Sequence, residues 1–318
     1  MYYERSKVIT IIGATGYIGM NLVKKLSQLN EYHIKILTRS VPDFTKFNNN
    51  VEVVVGDLTR YETLRDFFVE KCIVINLVYF WDASNNENID YTANLLSACK
   101  ETGVTRLIHC STAAVVGRVS ENNITEVTEC KPVSEYGQTK LNIERMITKE
   151  NSEILDVAIL RPTAVFGRNG EPLKKLCHEL INHSWLRNYL KSSLFGFRRM
   201  NLVHVDNMVS SIIFFIKYKS KIDANVFIIA DDENRNNNFR YIESTMMSNL
   251  HISKYPIFPL PIPLFVLKFI MKILKRNNIN PSCNYSSEKI KSYGFKFPVS
   301  FEDGLFDYVN WYRSLGGK

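Results

Sequence analysis

The 318-residue chain lacks the features that mark several classes of protein. It has no dense run of Lys or Arg, so its net charge of +8 predicts a mild attraction for anionic ligands and no nucleic-acid partner. Its six cysteines show no paired spacing, which predicts buried thiols in a reducing cytoplasm and no metal site or disulfide framework. No internal repeat is visible.

Long hydrophobic runs are also missing. Residues 1–7 are polar and a glycine-rich loop follows soon after, so we expect no signal peptide. The most apolar stretch, residues 256–274, is broken by three prolines and Lys268 and is too short to span a bilayer. It predicts a proline-rich loop that leads into an amphipathic helix, and peripheral membrane contact is the alternative.

What the sequence does contain is a regular alternation of apolar runs and helical spacing. The predicted strands are Val8–Ile12, Ile34–Thr38, Val51–Val55, Cys72–Val78, Arg106–Cys110 and Val157–Leu160, and the predicted helices between them are Tyr17–Leu29, Asn88–Thr102 and Tyr136–Lys149. This alternation indicates an α/β fold with a doubly wound, Rossmann-type parallel sheet. After residue 167 the pattern loosens, which predicts a dinucleotide-binding domain over 1–167 and a smaller α+β substrate lobe over 168–318, with return segments to the sheet allowed. The Asn-rich patches at 48–50 and 236–238 are interpreted as polar surface loops.

The segment Gly13–Gly19 (GATGYIG) lies between the first predicted strand and helix. Gly13 permits a tight turn, Gly16 lets the backbone approach a pyrophosphate, and Gly19 lets the helix pack closely on the sheet. The helix N-terminus would then face the anion, with Thr15 in the same loop. A purely structural turn is the alternative, but the strand-loop-helix context favours a dinucleotide site.

Two positions after the next strands bear on the choice of cofactor. Arg39 follows the second strand where NAD sites commonly have an acid, and the first acid is Asp43. Arg39 therefore favours NADP(H) slightly over NAD, and a solvated arginine beside NAD is the alternative. Asp57, after the third strand, could accept from the adenine amine, cap the following helix, or do both.

Tyr136 and Lys140 are four residues apart in a predicted helix, so their side chains share one face. A nearby ammonium and a cationic nicotinamide would both lower the pKa of the tyrosine. Thr112 follows the fifth strand, at the edge where such sheets bind ligands, and could hydrogen-bond a substrate oxygen. Tyr136 would exchange the proton while the nicotinamide exchanges hydride. A solvated helix face is the alternative.

With these residues in order, the chain resembles the NAD-dependent epimerase/dehydratase family of extended short-chain dehydrogenases/reductases. The matching segments are Gly13–Gly19, Gly56–Leu58, Asn76–Val78, Asn88–Leu96, His109–Gly117, Tyr136–Lys140, Arg161–Gly167, Val203–Asn207 and, near the end, 287–290, 293–298, 302–305 and 311–312. The resemblance implies that Thr112, Tyr136 and Lys140 are the catalytic set. It also implies a cofactor lining made of Tyr17, Ile18, Asp57, Leu58, Leu77, Asn88 and Pro162. A helix cap is the alternative for Asn88, and ordinary packing is the alternative for Leu77 and Pro162.

Departures from the family pattern narrow the expected reaction. Sugar 4,6-dehydratases of the family carry an Asp-Glu pair where Ala113 and Ala114 stand, so dehydration is not expected. Many nucleotide-sugar epimerases of the family carry Asn in place of Ala164. Its absence here weakens the expectation that the substrate is a nucleotide sugar. Arg198 and Arg199 approximate the family's diphosphate-binding arginine, and solvated arginines are the alternative. His204 is interpreted as structural.

The predicted function is oxidation or reduction of a hydroxyl or keto carbon, with NAD(P), at C4 of a nucleotide-linked hexose. A 4-epimerase and a 4-keto-reductase share this chemistry and stay open. A ketone reductase of hydroxysteroid or flavonoid type and a non-catalytic NADP-binding regulator are the competing hypotheses. The resemblance further implies a homodimer, to which the helices Asn88–Thr102 and Tyr136–Lys149 could contribute the interface.

Overall fold

The computed structural model describes residues 8–39, 49–273 and 280–316. The sequence expectations attached to residues 1–7, Asp43, Asn48 and Leu274 lie outside these ranges. The described strands are β1 Val8–Ile12, β2 His33–Thr38, β3 Val51–Val55, β4 Ile73–Asn76, β5 Arg106–Cys110, β6 Asn123–Ile124, β7 Asp156–Pro162, β8 Ala164–Phe166, β9 Leu202–His204, β10 Asn225–Ile229 and β11 Asn284–Tyr285. The described helices are α1 Tyr17–Leu29, α2 Tyr61–Phe67, α3 Asn85–Glu101, α4 Glu135–Lys149, α5 Lys174–Asn182, α6 Trp185–Phe195, α7 Val205–Lys217, α8 Phe239–Asn249, α9 Leu264–Ile273, α10 Glu288–Ser292 and α11 Phe301–Ser314.

Within these ranges, seven strands form one sheet in the order β10-β7-β5-β4-β1-β2-β3. The pairings of β1 with β2 and β4, of β2 with β3, of β4 with β5 and of β5 with β7 are all parallel. The strand order reverses between β1 and β4, and ligands of such sheets bind at the carboxyl ends beside that reversal. The predicted α/β fold with a doubly wound parallel sheet is confirmed.

Contacts between residues divide the chain into two compact units. The first comprises Met1–Val115, Ser134–Arg161 and Val209–Phe227, and the second comprises Val116–Val133, Pro162–Met208 and Ile228–Lys318. The first unit has an apolar core between strands and helices that includes Ile12, Val74 and Leu107. The second has its own core, which includes Phe166, Tyr308 and Tyr312. The predicted division at residue 167 remains a prediction.

Side-chain caps explain where helices α3 and α4 begin. The Ser84 hydroxyl accepts from the Glu87 amide and the Glu87 carboxylate accepts from the Ser84 amide at 2.7 Å, so α3 begins at Asn85, three residues before the predicted start. Asn88 therefore lies inside the helix and does not cap it. Ser134 caps α4 by accepting from the Gly137 amide at 3.1 Å, which places Tyr136 in the first turn.

Residues 236–238 form a loop before α8, as predicted, but this loop does not lie on the surface. Asn237 is fully buried, and its side-chain amide donates to the Leu202 carbonyl at 2.9 Å and to Asp232 Oδ1 at 3.0 Å. Its Oδ1 accepts from the Leu202 amide at 3.2 Å. Asn238 caps α8 by accepting from the Tyr241 amide at 3.0 Å. These asparagines organise the second unit because buried backbone groups require partners.

The apolar stretch that begins at residue 256 forms a proline-containing loop followed by α9, as the sequence predicted. In the described part of the chain, no helix combines the length and the apolar character that crossing a membrane requires.

Candidate active site

The glycine loop between β1 and α1 is a close-packed turn. Gly13 has φ = +85°, and a Cβ added there would lie 3.0 Å from Val78 Cγ2 and 3.1 Å from the Leu77 carbonyl carbon. A Cβ added at Gly19 would lie 2.2 Å from the Gly13 carbonyl oxygen. A Cβ at Gly19 would come closer than real Cβ atoms come to other atoms, and at Gly13 the contacts are tight and the positive φ strains any other residue. Both positions therefore favour glycine. The loop is therefore a cradle that side chains do not fill, as a dinucleotide site requires.

The start of α1 suits an anion. Gly16 precedes the helix in an extended conformation, no side chain caps it, and the first turn carries no acid. The helix dipole therefore presents its positive end here without a compensating carboxylate. Thr15 and Gly16 are exposed, while Tyr17 and Ile18 are half-buried. These predicted cofactor residues lie together in one turn.

A cavity of about 280 Å³ lies beside the carboxyl ends of β2 and β3. Three predicted cofactor residues line it together, namely Arg39, Asp57 and Leu58. The other lining residues are Thr59, Phe80, Ala83, Glu87, Asp90, Tyr91 and Asn94. The described lining thus includes one cation and three carboxylates, a charge balance that the sequence did not reveal.

Asp57 also organises its own turn. Its Oδ1 accepts from the Thr59 amide at 2.9 Å and from the Thr59 hydroxyl at 2.7 Å. These two hydrogen bonds, with the charges of Arg60 and Arg39, hold the pKa of Asp57 below its usual value. Asp57 is therefore an anion at neutral pH, and it stabilises the turn before α2 rather than serving as the cap, which is at Arg60.

The three residues of the predicted catalytic set meet at the carboxyl end of β5. The Thr112 side chain lies close enough to Tyr136 to lower the pKa of its hydroxyl. Lys140, one turn further along α4, is buried and donates from Nζ to the Cys110 carbonyl at 3.0 Å. Thr112 Oγ1 also accepts from the Ala114 amide at 3.1 Å, which orients the hydroxyl. The structure therefore brings the set together, although its role in catalysis stays a prediction.

The surroundings of Tyr136 favour its neutral form. Burial raises the pKa of Tyr136 to about 12, the proximity of Cys110 and Tyr79 adds to the rise, and the Thr112 side chain opposes it. Burial likewise lowers the pKa of Lys140 from its usual value, against the opposing effects of Cys110 and Glu144. The chain's own groups thus act on Tyr136 in the opposite direction to the lowering that we expect from a cationic nicotinamide.

An aromatic cluster next to Tyr136 was not predicted. The Trp81 ring stacks on the Tyr136 ring at a centroid distance of 4.7 Å and an interplanar angle of 28°. Tyr79 meets Tyr136 edge-on at 4.8 Å, and Lys140 Nζ lies 5.4 Å from the centroid of the Tyr79 ring. The aromatic run Tyr79-Phe80-Trp81, which begins three residues after the end of β4, was the available signal in the sequence. This cluster adds an apolar wall to the candidate site.

Asn88 holds the segment that carries this cluster. Its Oδ1 accepts from the Phe80 amide at 3.0 Å, and its Nδ2 donates to the carbonyls of Phe80 and Ser84 at 3.0 and 3.1 Å. With 1% of its surface exposed, Asn88 directs its polar atoms to this backbone. Its predicted contact with a cofactor remains a prediction.

A buried network under α4 was also missed. Glu144 lies one turn after Lys140 and accepts from Arg161 at 2.6 Å in an ion pair with both side chains buried. The Ser111 hydroxyl also donates to Glu144. Ser111 follows β5 and Arg161 belongs to β7, so the network ties the catalytic helix to two strands of the sheet. A single charged residue in a helical pattern does not reveal such a partner.

The remaining predicted residues lie elsewhere. Arg198 and Arg199 belong to the second unit, where Arg199 donates to the Asn234 carbonyl at 2.9 Å and the Arg198 guanidinium lies 6.0 Å from the Phe195 ring centroid. Pro162 ends β7, and the Leu77 amide donates to the Ile12 carbonyl at 3.0 Å. Their binding roles stay predictions. His204 is buried and packs edge-on against Phe166, as a structural histidine would.

Comparison with known proteins identifies the family. The model of the NAD dependent epimerase/dehydratase family matches residues 9–230, about seven-tenths of the chain. The chain belongs to this family. The resemblance drawn from the sequence motifs is therefore confirmed, and the cofactor typical of the family is NAD.

The chain is similar to two characterised relatives and to one solved structure. The chain is 23% identical over 323 residues to N-acetyl-alpha-D-glucosaminyl-diphospho-ditrans,octacis-undecaprenol 4-epimerase of Escherichia coli O157:H7, covering 93% of this chain and 92% of that enzyme. It is 25% identical over 246 residues to a decarboxylating sterol-4-alpha-carboxylate 3-dehydrogenase of Mus musculus, covering 72% of this chain and 66% of that enzyme. The structure of UDP-glucuronic acid 4-epimerase from Bacillus cereus, with UDP-glucuronic acid and NAD, matches with a TM-score of 0.73, 20% identity and coverage of 97% and 99%. The structural match shows the fold.

Proposed function

We propose that this member of the epimerase/dehydratase family oxidises or reduces C4 of a nucleotide-linked hexose, with Tyr136 as the acid/base. The observation that carries the proposal is that Tyr136 and Lys140 both lie against the Tyr79 ring, in the same unit as the glycine cradle. The segment after β4 links the two, since Leu77 and Val78 border Gly13 while Tyr79 contacts Tyr136. The 4-epimerase relative supports the position of attack.

The chain's own residues would divide the work as follows. The glycine cradle and the start of α1 would hold the diphosphate of the dinucleotide, whose pyridine ring supplies or accepts hydride when bound. Thr112 would orient the substrate oxygen, and Tyr136 would give or take its proton. With a pKa of about 12, Tyr136 is protonated at neutral pH, which is the state that donates a proton to a carbonyl oxygen. Reduction of a keto carbon is the direction for which this site is ready.

The charges around the cavity lined by Arg39 and Asp57 bear on the choice between NAD and NADP. Arg39 is the feature that favours a 2′-phosphate, but Asp57, Glu87 and Asp90 line the same cavity. Three carboxylates in the lining would oppose the binding of a 2′-phosphate, against the attraction of one guanidinium. We therefore propose NAD as the preferred cofactor. Titration of the protein with NAD and with NADP tests this, and tighter binding of NADP would contradict it.

An epimerase and a 4-keto-reductase remain the two outcomes within this proposal. An epimerase would retain its dinucleotide through turnover, whereas a reductase would exchange it. Mass spectrometry of the small molecules released on denaturation distinguishes them, because tightly held NAD favours epimerisation. Ala113 and Ala114 supply no acid or base for dehydration, so we do not propose a dehydratase.

A second candidate is reduction of a ketone on an apolar substrate. The sterol dehydrogenase relative and the aromatic wall made by Tyr79 and Trp81 favour it. A panel of UDP-, GDP- and dTDP-linked keto sugars tested beside sterol ketones separates the two candidates. Turnover of neither class would point to the non-catalytic regulator, although the chain retains Tyr136 and Lys140.

The decisive variant is Tyr136→Phe. Removal of the hydroxyl should lower kcat by about 10²–10⁴-fold, the usual contribution of a general acid/base, and leave the affinity for NAD nearly unchanged. Tyr61→Phe is the matched control, because Tyr61 lies on α2 and its hydroxyl bonds the exposed Glu101. Full activity in Tyr136→Phe would refute the mechanism.

A further inference from the structure

The loop before α9 and α9 itself expose an apolar ridge in the second unit. The ridge consists of Ile257, Phe258, Leu260, Phe265, Phe269 and Ile273, each between 63% and 75% exposed. Large apolar side chains exposed singly are common on proteins, but a contiguous set in one short segment indicates a binding surface.

Helix α9 is apolar on two opposite sides. Leu267 and Met271 are buried and anchor the helix to its own unit. Phe265, Phe269 and Ile273 follow one another at intervals of four residues and therefore form a stripe on the other side. The side of a surface helix that faces water is normally polar or charged. The outer stripe of α9 therefore lacks the polar face that a helix in contact with water carries.

The charges beside the stripe have one sign. Lys268 and Lys272 are exposed and lie one residue before Phe269 and Ile273, so they flank the stripe along its length. In the sequence no Asp or Glu occurs between Glu243 and Glu288, a span with five Lys or Arg residues. An apolar stripe flanked by cations is complementary to an anionic lipid surface.

The composition of the proline-containing loop before α9 suits a medium of low polarity. The prolines at 256, 259, 261 and 263 have no amide hydrogen, so four backbone donors are absent. The Ile262 amide donates to the Ser193 carbonyl at 3.0 Å, and Arg240 donates to the Pro259 carbonyl at 2.8 Å. The Arg240 guanidinium also lies 4.6 Å from the centroid of the Phe258 ring. The loop is thus held in place with its apolar side chains outward.

We propose that the apolar ridge docks on the surface of an anionic lipid bilayer, with α9 lying in the plane of the interface. A second copy of the chain fits this surface less well. Two copies joined by a two-fold axis through the ridge would bring Lys268 and Lys272 of each toward those of the other. The inference is independent of the proposed reaction, because no residue of the ridge belongs to the candidate active site.

The test is sedimentation of the full chain with vesicles. The protein should bind vesicles of equal parts phosphatidylglycerol and phosphatidylcholine, bind pure phosphatidylcholine much less, and lose binding as salt rises. F265S/F269S should weaken binding at least about tenfold, given the apolar area lost. K268Q/K272Q should also weaken it roughly tenfold on anionic vesicles.

The controls alter equally exposed residues elsewhere. V127S/I154S removes two apolar side chains that are 93% and 66% exposed, and K24Q/K149Q removes two exposed lysines. Both should bind like the parent protein. Equal losses in a control and a ridge variant, or no vesicle binding by the parent protein, would overturn the proposal.

A second measurement does not depend on loss of binding. Phe265→Trp places a fluorophore on the stripe, and brominated phosphatidylcholine mixed into the anionic vesicles should quench its emission, while Val127→Trp should not be quenched. Sedimentation equilibrium without vesicles tests whether a second copy of the chain binds the ridge instead. A parent oligomer that dissociates in F265S/F269S, with Phe265→Trp not quenched, would show that the ridge binds a second copy and would overturn the lipid assignment.

Discussion

A methyl group added at Gly19 or at Gly16 probes the glycine cradle in two different ways. At Gly19 the new Cβ would lie 2.2 Å from the Gly13 carbonyl oxygen and 2.7 Å from Ala14 Cα, both backbone atoms. At Gly16 the nearest atom is 3.4 Å away, which is an ordinary contact, and φ is −74°. The first substitution must separate α1 from its loop, whereas the second leaves the fold as it is.

The expected magnitudes follow from these contacts. Gly19→Ala must move the helix start by roughly an ångström, and overpacking of this kind costs about 1–3 kcal/mol of unfolding free energy. Gly16→Ala should cost under about 1 kcal/mol, the usual loss when glycine before a helix becomes alanine. Because Gly16 is exposed at the helix start, its methyl group would stand where we expect the diphosphate. We therefore expect NAD affinity to fall about tenfold or more in both variants.

Urea unfolding followed by circular dichroism, together with calorimetric titration with NAD, measures both effects on the same proteins. Gly16→Ala should separate them, with nearly normal stability and weakened binding, and Gly19→Ala should lose both. Gly19→Ala with the stability and affinity of the parent would refute the close packing of the cradle. Gly16→Ala with normal NAD affinity would refute the placement of the anion at α1.

Two further predictions concern buried asparagines. Asn88→Ala leaves the half-buried amide of Phe80 without its acceptor. It should therefore destabilise the protein by about 1–3 kcal/mol and speed hydrogen exchange in the Tyr79–Trp81 segment. Exchange as slow as in the parent would contradict the role of Asn88. Asn237→Ala removes several buried hydrogen bonds and should lower the free energy of unfolding, measured with urea, by about 2–4 kcal/mol. Asn236→Ala removes a half-buried hydrogen bond to Glu302 and should lower it less. Equal losses in the two variants would contradict the buried network.

The first half of the fold could be predicted because its signals are local. Parallel strands covered on both faces, such as β1 and β5, are short apolar runs, and both have the predicted bounds. The edge strand β3 also has the predicted bounds, although its residues are only partly buried or exposed. The glycine spacing likewise needs only the strand before it and the helix after it. Strand β4 is shorter than predicted, since apolar residues also occupy the loop that follows it. Local patterns thus give the elements, and the caps and loops decide their ends.

Contacts distant in sequence could not be predicted. The stacking of Trp81 on Tyr136 depends on how the segment after β4 folds back, which the three hydrogen bonds of Asn88 determine. The Glu144–Arg161 pair joins a helix to a strand that comes later in the chain. Nothing in residue spacing distinguishes Asn237, fully buried, from the neighbouring Asn236, which bonds a carboxylate of α11. Burial of polar groups is decided by tertiary packing.

The ionisation of Tyr136 connects the geometry of the site to the direction of its reaction. Oxidation of a hydroxyl requires the phenolate, and the chain's own groups raise the pKa of Tyr136 to about 12. A full positive charge about 4 Å from a phenolate stabilises it by about 4 kcal/mol at an effective dielectric constant of about 20. This energy corresponds to a lowering of the pKa by roughly three units. Such a charge would lower the pKa of Tyr136, but starting from about 12 the protonated form would still predominate at neutral pH. The rate of oxidation should therefore rise with pH well above neutrality, whereas reduction uses the protonated form that already predominates. A rate of oxidation that does not change between neutral and alkaline pH, with chemistry rate-limiting, would exclude Tyr136 as the base.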